Sequence, residues 1–440
     1  MCLIYLSILN GQRVIGYYPQ WVQGSFTPDK IDYSVITHVI HSFAWPDEEG
    51  NILHYDNMLS QSVNNTVHDN GAKILLCFGG WGNSWGFALS TSTPELREVF
   101  IDNIISICET YNYDGVDIDW EQPVSIAEKN NLTSFIIELR EAFDSLYPEW
   151  IISMAVPASN WSGQYYDFNQ LKQSVDFFNA MTYDIHGSWT NHAGHSSPLY
   201  QSPPGDPDGS VSTGINYLVN TRGIESQKVN VGIPFYGKEY NTSDINQSFT
   251  GDVVSRLYNE YHGLIGNSWN YIWDNSGQVP YLQNDSQTKI ITIDDSLSVS
   301  LKSEYAISNN LGGLMIWSLG SDYIEGEQKL IQSMKYNYLT AAVDPNPDTY
   351  SLRILNYPNP FNDQTNFRYS LQKDSDVSII IYNLKGFIVK HLVNKYQAKG
   401  PRIVSWNAIT DRGKPISSGV YLYQARIAGS ILTRKMIYLK

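Results

Sequence analysis

Cysteine is scarce in this chain. Its 440 residues hold three, Cys2, Cys77 and Cys108, too few for a disulfide framework. Cys77 lies in an apolar strand-like run and Cys108 in a helical one, so both are expected as buried thiols. Charge is also thin, at 17% of residues, and it leans acidic, with a formal net charge of −15. That balance argues against nucleic acid as a partner. No apolar run is long enough to span a membrane, so no transmembrane segment is expected. The apolar start, Met1 to Asn10, has no basic n-region and no small-residue cleavage site. Residues 1–10 are therefore expected to be the remains of a signal peptide whose true start lies upstream.

What is present is aromatic and unevenly charged. Phe, Trp and Tyr make up 13% of the chain. From Pro345 to Lys440 there are 14 Lys and Arg against 5 Asp and Glu, a net +9, which leaves the rest at −24. An asymmetry of that size marks a domain boundary. Within the acidic part, one stretch stands apart: Tyr113-Asp114-Gly115-Val116-Asp117-Ile118-Asp119-Trp120-Glu121. On a strand, alternate side chains share a face. Asp117, Asp119 and Glu121 then line one face, with neighbours roughly 7 Å apart. The other positions are too apolar for a solvated loop, and the offsets do not fit a calcium loop. Desolvation and mutual repulsion should raise at least one of these pKa values, as a general acid requires.

Around this strand the chain alternates short apolar runs with helical or loop stretches. Eight strands are expected: Val14–Tyr18, Val35–Phe43, Lys73–Phe78, Gly115–Asp119, Ile151–Val156, Phe177–Thr182, Lys228–Pro234 and Gly313–Ser318. Eight is the count of a closed (β/α)8 TIM barrel, an α/β fold. One helix should open at Thr93-Pro94-Glu95, a cap followed by Pro and an acid. Another should span about Ser125 to Tyr147 and stop at Pro148. Aromatics follow almost every strand: Tyr18 and Trp21, Phe43 and Trp45, Trp81, Trp161, Tyr183, Phe235 and Tyr236, and Trp317. Barrel active sites sit at that C-terminal rim, and flat aromatic faces suit sugar rings. Between the last two strands lies a long insertion, residues 238–312, read as a small α+β subdomain. It should carry a helix-like run over Val253–Tyr261, the aromatic group Trp269, Tyr271 and Trp273, a strand-like run over Lys289–Ile293 and a returning helix at about Ser296–Asn309. Gly194–Asp208 is read as a long rim loop.

The ordered motifs carry a resemblance. Asp114-Gly115-Val116-Asp117-Ile118-Asp119-Trp120-Glu121 resembles the signature of the family 18 glycoside hydrolase chitinases. So do Leu76-Cys77-Phe78-Gly79-Gly80-Trp81, Met181-Thr182-Tyr183-Asp184-Ile185-His186-Gly187, Gly194-His195-Ser196-Ser197-Pro198-Leu199 and Gly313-Leu314-Met315-Ile316-Trp317. Trp273-Asp274 and Pro280-Tyr281 resemble the family's insertion domain. The resemblance implies chitin or N-acetylglucosamine oligosaccharides as substrate and substrate-assisted, retaining catalysis. Glu121 would be the general acid. Asp119 would orient the acetamido group, Asp117 would share a proton with it, and Tyr183 would bond the acetamido oxygen. Asp184 would assist in that subsite, and Trp317 would floor it. Met181, Trp81, Tyr236, Tyr17, Phe43 and Trp161 would line the cleft. No metal or cofactor is implied. A non-catalytic sugar-binding lectin of the same fold and an endo-β-N-acetylglucosaminidase acting on glycoprotein glycans stay open as alternatives. The intact acid set argues against the lectin.

On this reading residues 11–340 form the catalytic barrel, 341–350 a linker and 351–440 an immunoglobulin-like β-sandwich. Its expected strands are Phe367–Leu371, Val377–Asn383, Ile403–Asn407, Tyr421–Ile427 and Ile431–Leu439, with Trp406 in the core. Tyr357-Pro358-Asn359-Pro360-Phe361-Asn362, Ser418-Gly419-Val420-Tyr421 and the closing Lys435-Met436-Ile437-Tyr438-Leu439-Lys440 resemble the C-terminal sorting domain of type IX secretion. That implies handover to the type IX machinery, with secretion or display on a Gram-negative cell surface; a monomer is expected. The competing reading is an ordinary accessory sandwich.

Overall fold

The computed structural model describes residues 12–334, 354–357, 361–371, 373–384, 386–427 and 430–439. The signal-peptide remnant expected at 1–10 and the linker at 341–350 lie outside them. The chain divides into two compact units, Met1–Ala342 and Val343–Lys440.

The first unit is a closed parallel barrel. Its strands are Arg13–Pro19, His38–Pro46, Lys73–Gly79, Gly115–Asp119, Ile151–Pro157, Phe177–Met181, Val229–Pro234 and Gly313–Trp317. Each pairs with the next, and the eighth closes on the first through Arg13↔Gly313 to Gly16↔Ile316. The side chains filling the barrel include Ile15, Tyr17, Ile40, Leu75, Cys77, Phe177 and Met315. The expected strands are met, with ends shifted by up to three residues. The first connection departs from the ideal repeat, since it holds only the short 3-10 turns Gln20–Val22 and Pro28–Lys30.

The outer helices follow their sequence signals. Pro94–Tyr111 starts at Thr93, whose side chain accepts the Leu96 N–H, and ends at Asn112 with φ 60°. Such a cap contributes about 1 kcal/mol. Phe100, Ile104, Ile105 and Cys108 recur at helical spacing and are buried. Ile126–Leu146 starts at Ser125, whose side chain accepts the Glu128 N–H. No helix of the described residues is long and apolar enough to cross a membrane.

The insertion is a five-stranded antiparallel sheet: Tyr236–Asn241, Thr250–Leu257, Trp269–Asp274, Val279–Asn284 and Ile290–Thr292. The helix expected over Val253–Tyr261 is mostly strand. Only Tyr258–Tyr261 is helical. Thr250–Leu257 pairs instead along Tyr236–Asn241, so the sheet ladder overrides local helical spacing. The return helix is Ser296–Ser308, capped by Asp295.

The second unit is two antiparallel sheets. One holds Ile354–Tyr357, Thr365–Leu371 and Gly400–Trp406; the other holds Ile388–Gln397, Ser375–Asn383, Gly419–Ile427 and Ser430–Tyr438. Trp406, Phe367, Tyr423, Ile379 and Met436 share one core. Two strands escaped the sequence reading, Ile354–Tyr357 and Ile388–Gln397. The second is polar or exposed at most positions, so its alternation is weak.

Candidate active site

The fourth strand delivers the acids, and its C-terminal tip is held from several sides. The Asp119 carbonyl accepts the Gly80 N–H at 2.8 Å and the Ser84 hydroxyl at 3.3 Å. The Trp120 carbonyl accepts the Tyr166 hydroxyl at 2.8 Å. Ser84 Oγ in turn accepts the Glu121 N–H at 3.0 Å. Trp120 itself points outward and stacks on Phe87, with centroids 5.2 Å apart. This close approach explains Gly79. Its φ is 114°, and a Cβ there would lie 2.2 Å from the Asp119 carbonyl oxygen.

Asp117 lies deepest and is fully buried. Four donors surround it. Tyr17 Oη (2.7 Å) and Cys77 Sγ (3.3 Å) reach Oδ2, while Ser153 Oγ (2.5 Å) and Asn179 Nδ2 (3.1 Å) reach Oδ1. Burial pushes its pKa up, and these bonds push back. Asp119 is different. Its Oδ1 is buried without a hydrogen-bond partner among the described residues. Burial, then Glu121 and Asp117, push its pKa well above the carboxylate range. The charge of Asp117 acts on Asp119.

Glu121 sits past the strand end, half-buried. Burial raises its pKa to about 7, the Asp184 charge adds to this, and the Trp81 backbone N–H opposes it. Asp184 has φ 54° and pairs with Lys238 Nζ at 2.8 Å. The Tyr236 hydroxyl also bonds Asp184. Tyr183 packs edge-on to Tyr236 at 6.2 Å, and its hydroxyl lies 3.9 Å from Met315 Sδ. The field of Asp119, Glu121 and Asp184 reaches that phenol, though burial is the larger cause of its raised pKa.

The remaining expected residues divide. Trp317 is half-buried against Tyr17 (5.6 Å), Phe43 (5.7 Å) and Trp21 (6.4 Å). Met181 packs in the same cluster. Tyr17, placed on the cleft lining by the sequence, is 2% exposed and spends its hydroxyl on Asp117. It supports the site from beneath. Trp81 is 83% and Trp161 76% exposed, and no ring contact ties Trp161 to the acids among the described residues. Tyr18 and Phe235, counted as rim aromatics, are fully buried, and the Tyr18 hydroxyl is satisfied by the Phe26 carbonyl at 2.6 Å. Sequence reasoning missed Ser84, Ser153, Asn179 and Lys238. Each is a common residue type whose partner comes from another strand or loop, so no local pattern marks it.

A row of carboxylates at the C-terminal rim of a parallel barrel, with Glu121 pushed up to about 7, is an arrangement suited to glycoside cleavage. Residues 13–322 match the model of glycosyl hydrolases family 18, and the chain belongs to that family. Residues 356–439 match the model of a secretion system C-terminal sorting domain. "Probable chitinase 10" of Drosophila melanogaster is 31% identical over 70% of this chain. "Chitinase A1" of Niallia circulans is 27% identical over 77% of it. The chain spans only 15% of the first relative and 60% of the second. The Ostrinia furnacalis Group IV chitinase in complex with allosamidin shares 28% identity and a TM-score of 0.69, covering 75% of this chain and 99% of that one.

Proposed function

We propose that the chain is a secreted chitinase, cleaving β-1,4 bonds between N-acetylglucosamine units by substrate-assisted, retaining catalysis. Glu121 gives its proton to the glycosidic oxygen as the bond to the leaving sugar breaks. The substrate's own acetamido oxygen attacks the anomeric carbon, forming an oxazolinium ion. Water then opens that ring, and the Glu121 carboxylate takes up the water's proton. Net configuration is retained. Asp119 accepts the acetamido N–H and stabilises the cation, Tyr183 bonds the acetamido oxygen and Asp184 assists in the same subsite. Trp317 floors the reacting sugar.

One observation carries this reading. Asp119 Oδ1 is buried without a hydrogen-bond partner among the described residues, two positions before an acid whose pKa is pushed up to about 7. An acceptor desolvated at that cost needs a donor from the ligand. The sorting-domain match supports secretion or cell-surface display, through type IX machinery on this reading. The alternative lectin keeps the cleft without turnover.

The test uses soluble N-acetylglucosamine oligomers, wild type and Glu121→Gln side by side, with products read by mass spectrometry. Loss of a general acid costs roughly a hundredfold to ten-thousandfold, so the variant should bind oligomers and leave them uncut. A variant that cleaves at the wild-type rate defeats the assignment. Binding without cleavage by wild type points to the lectin. Neither binding nor cleavage points to glycoprotein glycans.

A further inference from the structure

Beyond the acid row, a second cluster lies on the segment that leaves the sixth strand. That segment passes Asp184, turns out and comes back. His186, His192, Asp206 and Asp208 meet there, and one ligand atom from each lies within 4.8 Å of the others. His186 and Asp206 are buried, while His192 and Asp208 are partly exposed.

The ring nitrogens decide what the cluster needs. His186 Nδ1 lies 2.9 Å from the His195 carbonyl oxygen. A carbonyl only accepts, so Nδ1 carries the hydrogen. In the neutral ring Nε2 is then a bare lone pair. It faces Asp206 Oδ2 at 3.2 Å and Asp208 Oδ2 at 3.5 Å. His192 Nε2 is buried without a hydrogen-bond partner among the described residues, yet it faces the same Asp206 oxygen at 3.4 Å. Two ring nitrogens therefore converge on a carboxylate oxygen that cannot donate to them. A shared cation, or a proton on a ring, relieves that arrangement. Gly194 leaves room for the His186 ring, since a Cβ there would lie 2.3 Å from it.

We propose that His186, His192, Asp206 and Asp208 bind one zinc ion. Tetrahedral zinc with bonds of about 2.0–2.1 Å places its ligand atoms about 3.3 Å apart. Three of the His–Asp separations, 3.2, 3.4 and 3.5 Å, bracket that edge, and all four ligand atoms lie within 4.8 Å of one another. A ring held by Nδ1–H to a backbone carbonyl is the usual support for a metal-bound histidine. Calcium prefers an all-oxygen shell, which two imidazoles do not supply. The ion would act as a clasp. The residue after His195 is Ser196, which accepts the Asp184 N–H at 3.2 Å and whose carbonyl accepts the Ile185 N–H at 3.0 Å. Fixing His186 and Asp206 thus fixes the segment that seats Asp184.

The competing occupant is a proton, making His186 an imidazolium paired with Asp206. Tag-free full-length protein, stripped with chelator and titrated with zinc chloride, separates the two. The expected result is one zinc per chain after desalting, a higher melting temperature with zinc and a visible d–d band with cobalt chloride. His192→Gln and Asp208→Asn, at the partly exposed corners, should each weaken zinc binding by roughly a hundredfold, at least what lost outer partners cost. Should either variant fold poorly, the cobalt band of wild type decides. Less than a tenth of a zinc per chain with unchanged melting would overturn the proposal, as would wild-type affinity in both variants.

Discussion

Asp184 should raise the upper pH limit of activity, and two substitutions should move that limit in opposite directions. Glu121 stands near 7, against 4.5 for an ordinary Glu. At 1.36 kcal/mol per pKa unit that difference is about 3 kcal/mol in favour of the protonated form. Burial is the larger cause and Asp184 the second, so removing the Asp184 charge should lower the pKa of Glu121 without returning it to the ordinary value. Its field is partly cancelled by Lys238, 2.8 Å away. The sign follows from the role. An acid works only while protonated, so activity is lost as pH rises through its pKa.

Asp184→Asn removes the negative neighbour. The alkaline limb of kcat/KM should then fall, by less than the full rise above the ordinary Glu value. Lys238→Met removes the cation that screens Asp184, and the limb should rise. The assay is hydrolysis of a soluble N-acetylglucosamine oligomer from pH 4 to 9, since kcat/KM reports the free enzyme's pKa values. Lower rates in Asp184→Asn are expected from lost substrate contact, but the limb's position is independent of the plateau. An unmoved limb in both variants, or a raised one in Asp184→Asn, would refute the reasoning.

Other outcomes follow from packing. Gly79→Ala should lower the melting temperature of the barrel, at a cost of about 2–4 kcal/mol, because its Cβ meets the Asp119 carbonyl at a positive φ. It should also cut activity, and a variant that melts with wild type would mean the strand tips are looser than drawn. Lys302 holds Asp294 at 2.6 and 2.7 Å, both fully buried. Lys302→Met should cost about 3–5 kcal/mol by stranding that carboxylate, read from urea unfolding. Lys302→Met with Asp294→Leu should recover much of it, and an equally unstable double variant would count against the ion-pair account.

How far the site can be read in the sequence depends on how far apart its parts lie in the chain. The acids fall on one strand, so period-two alternation exposes them at once. The barrel is legible for the same reason, as eight local runs joined by capped helices. The insertion was misread at Val253–Leu257, where pairing with Tyr236–Asn241 sets the backbone and no local signal announces the partner. The donors around Asp117 are hidden more deeply still. They come from the first, third, fifth and sixth strands, as Tyr17, Cys77, Ser153 and Asn179. Only barrel closure brings positions 17 and 179 within reach of one carboxylate.

Those hidden donors assign different duties to two acids that look alike in the sequence. Asp117 has a donor on each oxygen's free directions, so its bonds are spent inside the barrel. Asp119, one step nearer the rim, keeps a buried oxygen unspent. The field of Asp117 and Glu121 then falls on a carboxyl whose Oδ1 has no donor among the described residues. Such a group either takes a proton or takes a donor from the ligand. On the proposed mechanism the strand grades its acids by depth: Asp117 bonded on both oxygens, Asp119 with an acceptor open to the substrate and, at the tip, Glu121 with its pKa pushed up to about 7. Period two supplies the spacing of that grade, but its order is written by residues on four other strands.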